Sequence, residues 1–408
     1  MTNPNAAAVE TVVQEVFGEA ILTRARFIAD YAFGKSPAAP NAEGHAALLK
    51  YGSDSRFFVA MAGDSPQATA TVHAMTENVR GRVIPMGGIG GVASLPSGRR
   101  QGHVRNLFVR LFTEMRADGQ AVSTLYPFRE SFYERLGYAT FTAPRYVTFD
   151  PAHLAPIVRM HKPGWVEQVP MAEGWEPLRA FVEAYQGGAA AHGFALRDRA
   201  HDVRNQDENT LWVAFAYDAD GATVGAMTFR ITGYTERLEV VALLATTTAA
   251  KYLLLEWIGR HVDQVSTASV RVGADEFAEL WVRDLGETIS TTDTMAWPAP
   301  MGRVVDVAGL NGIGAGDGEI VLQIADDYAP WNTGRFRFAG RDGRLTVEPA
   351  ETATAAATIT IQGVSALVFT GQNPADFPFR GWGDPDETAQ ATLRRMFPFQ
   401  APFLYEEF

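Results

Sequence analysis

Residues 97–112 read SGRRQGHVRNLFVRLF, four arginines and two glycines at the opening of an amphipathic helix. Val104, Leu107, Phe108, Leu111, Phe112 and Met115 recur at three- and four-residue spacing, so one face packs on a core, and Asp118-Gly119 ends the helix. The other end carries the chemistry. A helix N-terminus presents backbone N–H groups without partners in the helix, together with the positive end of its dipole. Gly102 admits a ligand close to that backbone, and Arg99, Arg100 and Arg105 add charge. The pattern fits a diphosphate cradle and equally fits a solvated helix start; spacing alone does not choose.

The flanking sequence predicts a mixed α/β domain over residues 1–150. Val9, Val12, Val13, Val16, Phe17 and Ile21 form an apolar stripe that predicts an opening helix from Val9 to Phe33. Arg56–Met61 and Ala68–Met75, joined through a GDSP turn, predict a hairpin, and Arg82–Leu95 a third strand interrupted by glycines. Gln120–Tyr126 follows as a strand and Ser131–Leu136 as a short helix.

Residues 151–296 partly repeat this plan. Leu211–Tyr217, Ala222–Ile231 and Arg237–Leu244 read as hairpin and strand, and Ala249–His261 as the helix, an internal duplication. Its strand-to-helix link, ATTTAAKYLLLEW, has no glycine and one lysine, so an anion gripped by the first copy has no counterpart here. Residues 297–408 change texture. Glu319–Ala325, Gly334–Phe338, Arg344–Val347 and Ala357–Ile361 read as short strands, closed by helices at Gly363–Phe369 and Thr388–Phe397, predicting a small α+β domain.

A chain of 408 residues agrees with three domains at roughly 150 residues each. Hydrophobic residues at 47% and charged residues at 20% place it in the soluble globular class. The start, MTNPNAAAVETVV, lacks the basic and apolar regions of a secretory signal, so a cytoplasmic location is expected. The absence of cysteine removes thiol nucleophiles, and a net charge of -12 disfavours nucleic acid while mildly favouring a cationic small molecule. Gly88-Ile-Gly90-Gly-Val-Ala93 matches a dinucleotide fingerprint in letters, but it lies within a strand and is rejected. The eight histidines show no metal-ligand spacing, and no metal is assigned.

The run Arg99-Arg100-Gln101-Gly102-His103-Val104 resembles the acetyl-CoA motif R/Q-x-x-G-x-G/A of the GNAT acetyltransferases. With VASLPSGRRQGHVRNL at 92–107, SFYERLGY at 131–138 and FLYEEF at 403–408, the whole chain resembles the Eis (enhanced intracellular survival) family of bacterial N-acetyltransferases. The resemblance implies an α/β (α+β) chain of two fused GNAT-like domains, only the first competent, followed by a sterol-carrier-protein-like domain. It also implies acetyl-CoA as acetyl donor, a homo-hexamer, and transfer to a primary amine such as an aminoglycoside-like polyamine or a lysine side chain. On this resemblance the backbone of Val92, Ala93 and Ser94 holds the pantetheine arm, and Arg100, Gln101, Gly102, His103, Val104 and Arg105 hold the diphosphate. Phe128 and Arg129 lie beside the reactive end, Tyr133 is the general acid, and the α-carboxylate of Phe408 the general base. Glu407 is suited to attract a polyamine. The chain departs from the family in Gln101, where a third arginine is common, in Val104, where a small residue is usual, and in the loops after Phe27. A lipid- or small-ligand-binding protein with a retired acetyltransferase domain is the competing function, and a longer acyl-CoA the competing donor.

Direct transfer needs a neutral amine to attack the thioester and a proton for the departing thiolate. A tyrosine, with pKa about 10, suits the second task. The first is harder: a terminal carboxyl near 3.5 faces an ammonium near 10, a gap of roughly 9 kcal/mol. Burial of the carboxyl beside Glu406 and Glu407, a less basic amine, or a water relay would narrow it.

Overall fold

The computed structural model describes residues 11–34, 42–291, 299–406 and 408. They form two compact units, one of residues 1–141, 300–400 and 406–408, the other of 142–299 and 401–405.

The first unit is built on seven strands: β1 (Thr11–Val16), β2 (Ser55–Ala62), β3 (Ser65–Val79), β4 (Arg82–Ser94), β5 (Val122–Leu125), β6 (Ala139–Thr140) and β7 (Met301–Val304). They run in the order β1-β2-β3-β4-β5-β7-β6, antiparallel except for the parallel β4–β5 pair. Helices α1 (Phe27–Phe33), α2 (Ala42–Tyr51), α3 (His103–Ala117) and α4 (Glu130–Glu134) complete this part. The apolar stripe of α3 is buried as its spacing requires: Leu107, Phe108, Leu111, Phe112 and Met115 join Phe58, Ala70, Ile89 and Leu125 in one core.

The opening of the chain departs from expectation. Thr11–Val16 is a strand paired with β2 from Thr11↔Ala62 to Val16↔Phe57, not the first half of a helix, and Val9 lies outside the described residues. Thr11, Val12 and Val13 are β-branched and stiff at χ1, which favours the pleated surface. Helical backbone begins only beyond Gly18, as a π-type turn at Ile21–Arg26 leading into α1. A second departure is β7, to which the sequence reading assigns no strand; four residues carry too little pattern to register period-2 alternation.

A smaller sheet in the same unit has the order 344–349, 334–341, 318–325, 357–360, with helices Ile361–Phe369 and Glu387–Met396. Arg303 of β7 fastens it. Its guanidinium is fully buried, bonds both carboxylate oxygens of Asp326 at 2.8 and 2.7 Å, donates to Leu136 O and lies over the Phe112 ring.

The second unit has a seven-stranded sheet of order 288–290, 145–149, 267–272, 237–245, 223–231, 212–217, 165–170, with helix Thr248–Gly259 on a separate core. Ala401–Tyr405 belongs to it: Phe403 N–H donates to His192 O (2.9 Å), Arg271 donates to Leu404 O (2.8 Å), and Tyr405 stacks on Phe194 at 4.5 Å. No described helix is long and apolar enough to cross a membrane.

Candidate active site

The site forms where β4 and β5 part. Their parallel pairing runs from Met86↔Val122 to Ile89↔Leu125 and stops. Beyond Ile89, β4 still pairs with β3, through Thr71↔Gly90, Thr69↔Ala93 and Ala68↔Ser94, with a bulge at Gly91 and Val92. The β5 side of Gly90–Ser94 is therefore an open strand edge, able to hydrogen-bond an extended amide-bearing arm. Val92, Ala93 and Ser94 lie on this edge.

The edge leads into the start of α3. Gly102 is the N-cap with φ +84°, in the left-handed region, and no side chain caps the helix. The first-turn N–H groups thus have no acceptor in the helix or in a capping side chain. Arg100, also at positive φ (+63°), Gln101 and Arg105 are exposed around this end, and Arg105 lies over the Tyr328 ring at 5.6 Å. The His103 ring turns inward instead: it is 3% exposed, its Nδ1 lies 2.9 Å from Thr11 Oγ1, and burial pushes its pKa down. The side chain is thus committed to Thr11, and Val104 packs on the core.

Beyond β5, α4 carries a cluster of aromatic rings. Tyr133 of α4 is 3% exposed and ringed by Phe108, Phe128, Phe132 and Tyr138 at centroid distances of 6.0, 5.7, 5.1 and 6.1 Å. Its hydroxyl has no hydrogen-bond partner among the described residues, and burial raises its pKa well above the ordinary 10.0. At neutral pH the phenol is therefore protonated. Phe128 is exposed and Arg129 is the N-cap of α4.

The sheet face opposite α3 holds the chain's end. Side chains of His73, Met75 and Glu77 on β3 alternate onto this face, with Gly88 and Gly90 on β4 and Thr124 on β5. The Phe408 ring fills the notch left by the glycines, 6.0 Å from the His73 ring and 5.9 Å from that of Tyr126. A Cβ on Gly88 would stand 2.9 Å from Phe408 Cε2, and one on Gly90 3.0 Å from His73 Nε2 and 3.7 Å from the Phe408 carboxyl carbon. The glycines rejected as a dinucleotide fingerprint thus make room for the tail. Glu407 lies outside the described residues.

Sequence reasoning missed the polar groups of this face. His73 Nδ1 lies 2.8 Å from Ser55 Oγ, which donates to Asp54 Oδ1 at 2.9 Å. Glu77 is fully buried, accepts from Thr124 Oγ1 at 2.9 Å, and has its pKa pushed up to about 8 by burial. The available signal was the alternation of β3, which puts His73 and Glu77 on the side of Gly88 and Gly90 and away from α3.

Residues 19–141 match the acetyltransferase (GNAT) domain family and residues 310–405 the sterol carrier protein domain family. No curated protein matches the chain. Similar solved structures include a GCN5-related N-acetyltransferase from Anabaena variabilis ATCC 29413 (19% identity, 98% of this chain and 100% of that chain, TM-score 0.82). Another from Kribbella flavida gives 21% identity, 99% and 100% coverage, and a TM-score of 0.81. Eis1 from Mycobacterium abscessus gives 18% identity, 98% and 100% coverage, and a TM-score of 0.76. These are likenesses of fold. With its GNAT domain the chain is an acetyltransferase, an enzyme type that uses acetyl-CoA and an acceptor substrate, and its mixed α/β fold ends in a sterol-carrier-like domain.

Proposed function

We propose that the chain is an Eis-type N-acetyltransferase that moves an acetyl group from acetyl-CoA directly to a primary amine of a polyamine, aminoglycoside-like compound or lysine side chain. The observation that carries this reading is the uncapped start of α3 at Gly102, φ +84°, following the stretch of β4 beyond Ile89 that has parted from β5.

In this reading the Val92–Ser94 edge takes the pantetheine amides. The backbone from Arg100 to Arg105 takes the diphosphate, with the arginines as charge support. Phe128 and Arg129 flank the thioester. The amine nitrogen attacks the thioester carbonyl, the C–S bond breaks, and the thiolate receives the Tyr133 proton; the Phe408 carboxylate holds the amine and receives, or passes on, its proton. Glu407 draws in the cationic acceptor. Three domains, 1–150, 151–296 and 297–408, a homo-hexameric assembly and a cytoplasmic location belong to the same proposal.

The test is acetyl-CoA-dependent thiol release over a panel of amines, repeated on a chain with one residue added after Phe408. The extended chain is expected to bind acetyl-CoA and to lose turnover. Full turnover by the extended chain removes the carboxylate from the mechanism.

A further inference from the structure

The second unit holds a cavity of about 680 Å³ that the acetyl-transfer reading does not use. Three elements of that unit line it. Pro156 and Ile157 come from helix Ala155–Arg159, Ala249 and Tyr252 from the first turns of helix Thr248–Gly259, and Trp281 and Val282 from the chain just beyond the turn Ala278–Leu280. Small-molecule sites span roughly 300 to 1,000 Å³ and have mostly apolar walls with a few polar groups that fix orientation. Of the two cations lining this cavity, one is already committed: Lys162 Nζ donates to Ile157 O and Met160 O at 2.6 Å each and pairs with Glu256 at 2.7 Å. The aromatic polar atoms are engaged as well, the Tyr252 hydroxyl donating to Trp281 O at 3.1 Å and the Trp281 indole to Glu276 at 2.5 Å. Arg283 differs. It is exposed, forms no ion pair or hydrogen bond among the described residues, and no acidic side chain lines the cavity beside it.

We propose that this cavity binds an aliphatic monocarboxylate, with its chain against Ile157, Tyr252 and Trp281 and its carboxylate on the Arg283 guanidinium. The apolar lining takes the chain out of water, and burial of each methylene contributes. The guanidinium fork matches the two carboxylate oxygens and stays charged at any working pH. Recognition of the anion falls to Arg283 because the nearby helix start is spent: the Thr247 side chain accepts from Ala250 N–H at 3.1 Å and caps it. A diphosphate, with more charge and no apolar chain, fits this site poorly.

The experiment titrates the full chain with dodecanoate by calorimetry, beside decanoate, octanoate and the cation dodecyltrimethylammonium. Saturable binding of dodecanoate is expected, weakening about fourfold for each methylene removed. The cation is expected to bind about tenfold more weakly, although the net charge of -12 favours it at any non-specific surface. Two variants place the site. Arg283→Gln, at an exposed position, is expected to weaken dodecanoate about tenfold. Ala249→Trp adds an indole at an exposed position lining the cavity and is expected to abolish binding with the melting temperature unchanged. No saturable binding of dodecanoate, equal affinity for the cation, or a dodecanoate affinity unchanged in either variant overturns the proposal.

Discussion

Glu77 offers the sharpest test of the site's electrostatics. It is 0% exposed, has one hydrogen bond, from Thr124 Oγ1, and leaves Oε1 without a partner among the described residues. Desolvation dominates, and its pKa rises from the ordinary 4.5 to about 8. Between those values the folded chain holds a proton that the unfolded chain has released, so this contribution to stability is complete below pH 4.5 and is lost as pH rises through 8. At 1.36 kcal/mol per pH unit, the full loss is about 5 kcal/mol. Glu77→Gln keeps the size and the acceptor for Thr124 but cannot ionise. The variant is expected to be about 1 kcal/mol less stable at pH 5, because it buries extra amide donors, and clearly more stable at pH 9. Urea midpoints of both proteins at pH 5, 7 and 9 measure this. Midpoints that fall in parallel would show that Glu77 is not the titrating group and that its face is wetter than the geometry allows.

Three further outcomes follow from the same geometry. Tyr133→Phe removes a hydroxyl with no hydrogen-bond partner among the described residues, so the melting temperature should hold while kcat falls 100-fold or more at unchanged acetyl-CoA KM; an unchanged kcat would retire Tyr133 as the acid. Gly102→Ala places a side chain at φ +84°, which costs roughly 1 to 2 kcal/mol of local strain, and should raise the acetyl-CoA dissociation constant severalfold by calorimetry. Asp326→Ala strands the fully buried Arg303 and should cost about 3 to 5 kcal/mol in urea unfolding, whereas Arg303→Met combined with Asp326→Ala should recover much of the loss.

What the sequence revealed depended on range. The stripe of α3 is local, needs only a 3.6-residue period, and emerged with Leu107, Phe108, Leu111, Phe112 and Met115 buried and Val104 half-buried against the same core. The hairpins of both units were legible for the same reason. The strand at Thr11–Val16 misled because valines spaced for a helix also alternate, and only its partner β2, some forty residues away, decides between them. The site divides in the same way. Gly102 could be read as a cradle because a helix start is a local object. The Asp54, Ser55 and His73 chain could not: it joins a turn, the start of β2 and the middle of β3 to the last residue of the chain, and no periodicity connects them.

The second unit separates what the fold supplies from what the sequence adds. Its strands 237–245 and 267–272 pair in parallel from Arg237↔Thr267 to Val240↔Val270 and then part, as β4 and β5 do. Residues 241–245 keep an open edge, and a helix begins just beyond, at Thr248. There the likeness ends. The side chain of Thr247 accepts a hydrogen bond from Ala250 N–H at 3.1 Å and caps the helix, while α3 begins at a glycine with no cap. A capped end has already committed a donor that a diphosphate would need, and ATTTAAK offers one lysine where the first copy offers Arg99, Arg100 and Arg105. The parted strands come with the topology. The capacity to grip an anion rests on which residue precedes the helix, so replacing Thr247 with glycine would free the donor without creating the arginine field that α3 brings with it.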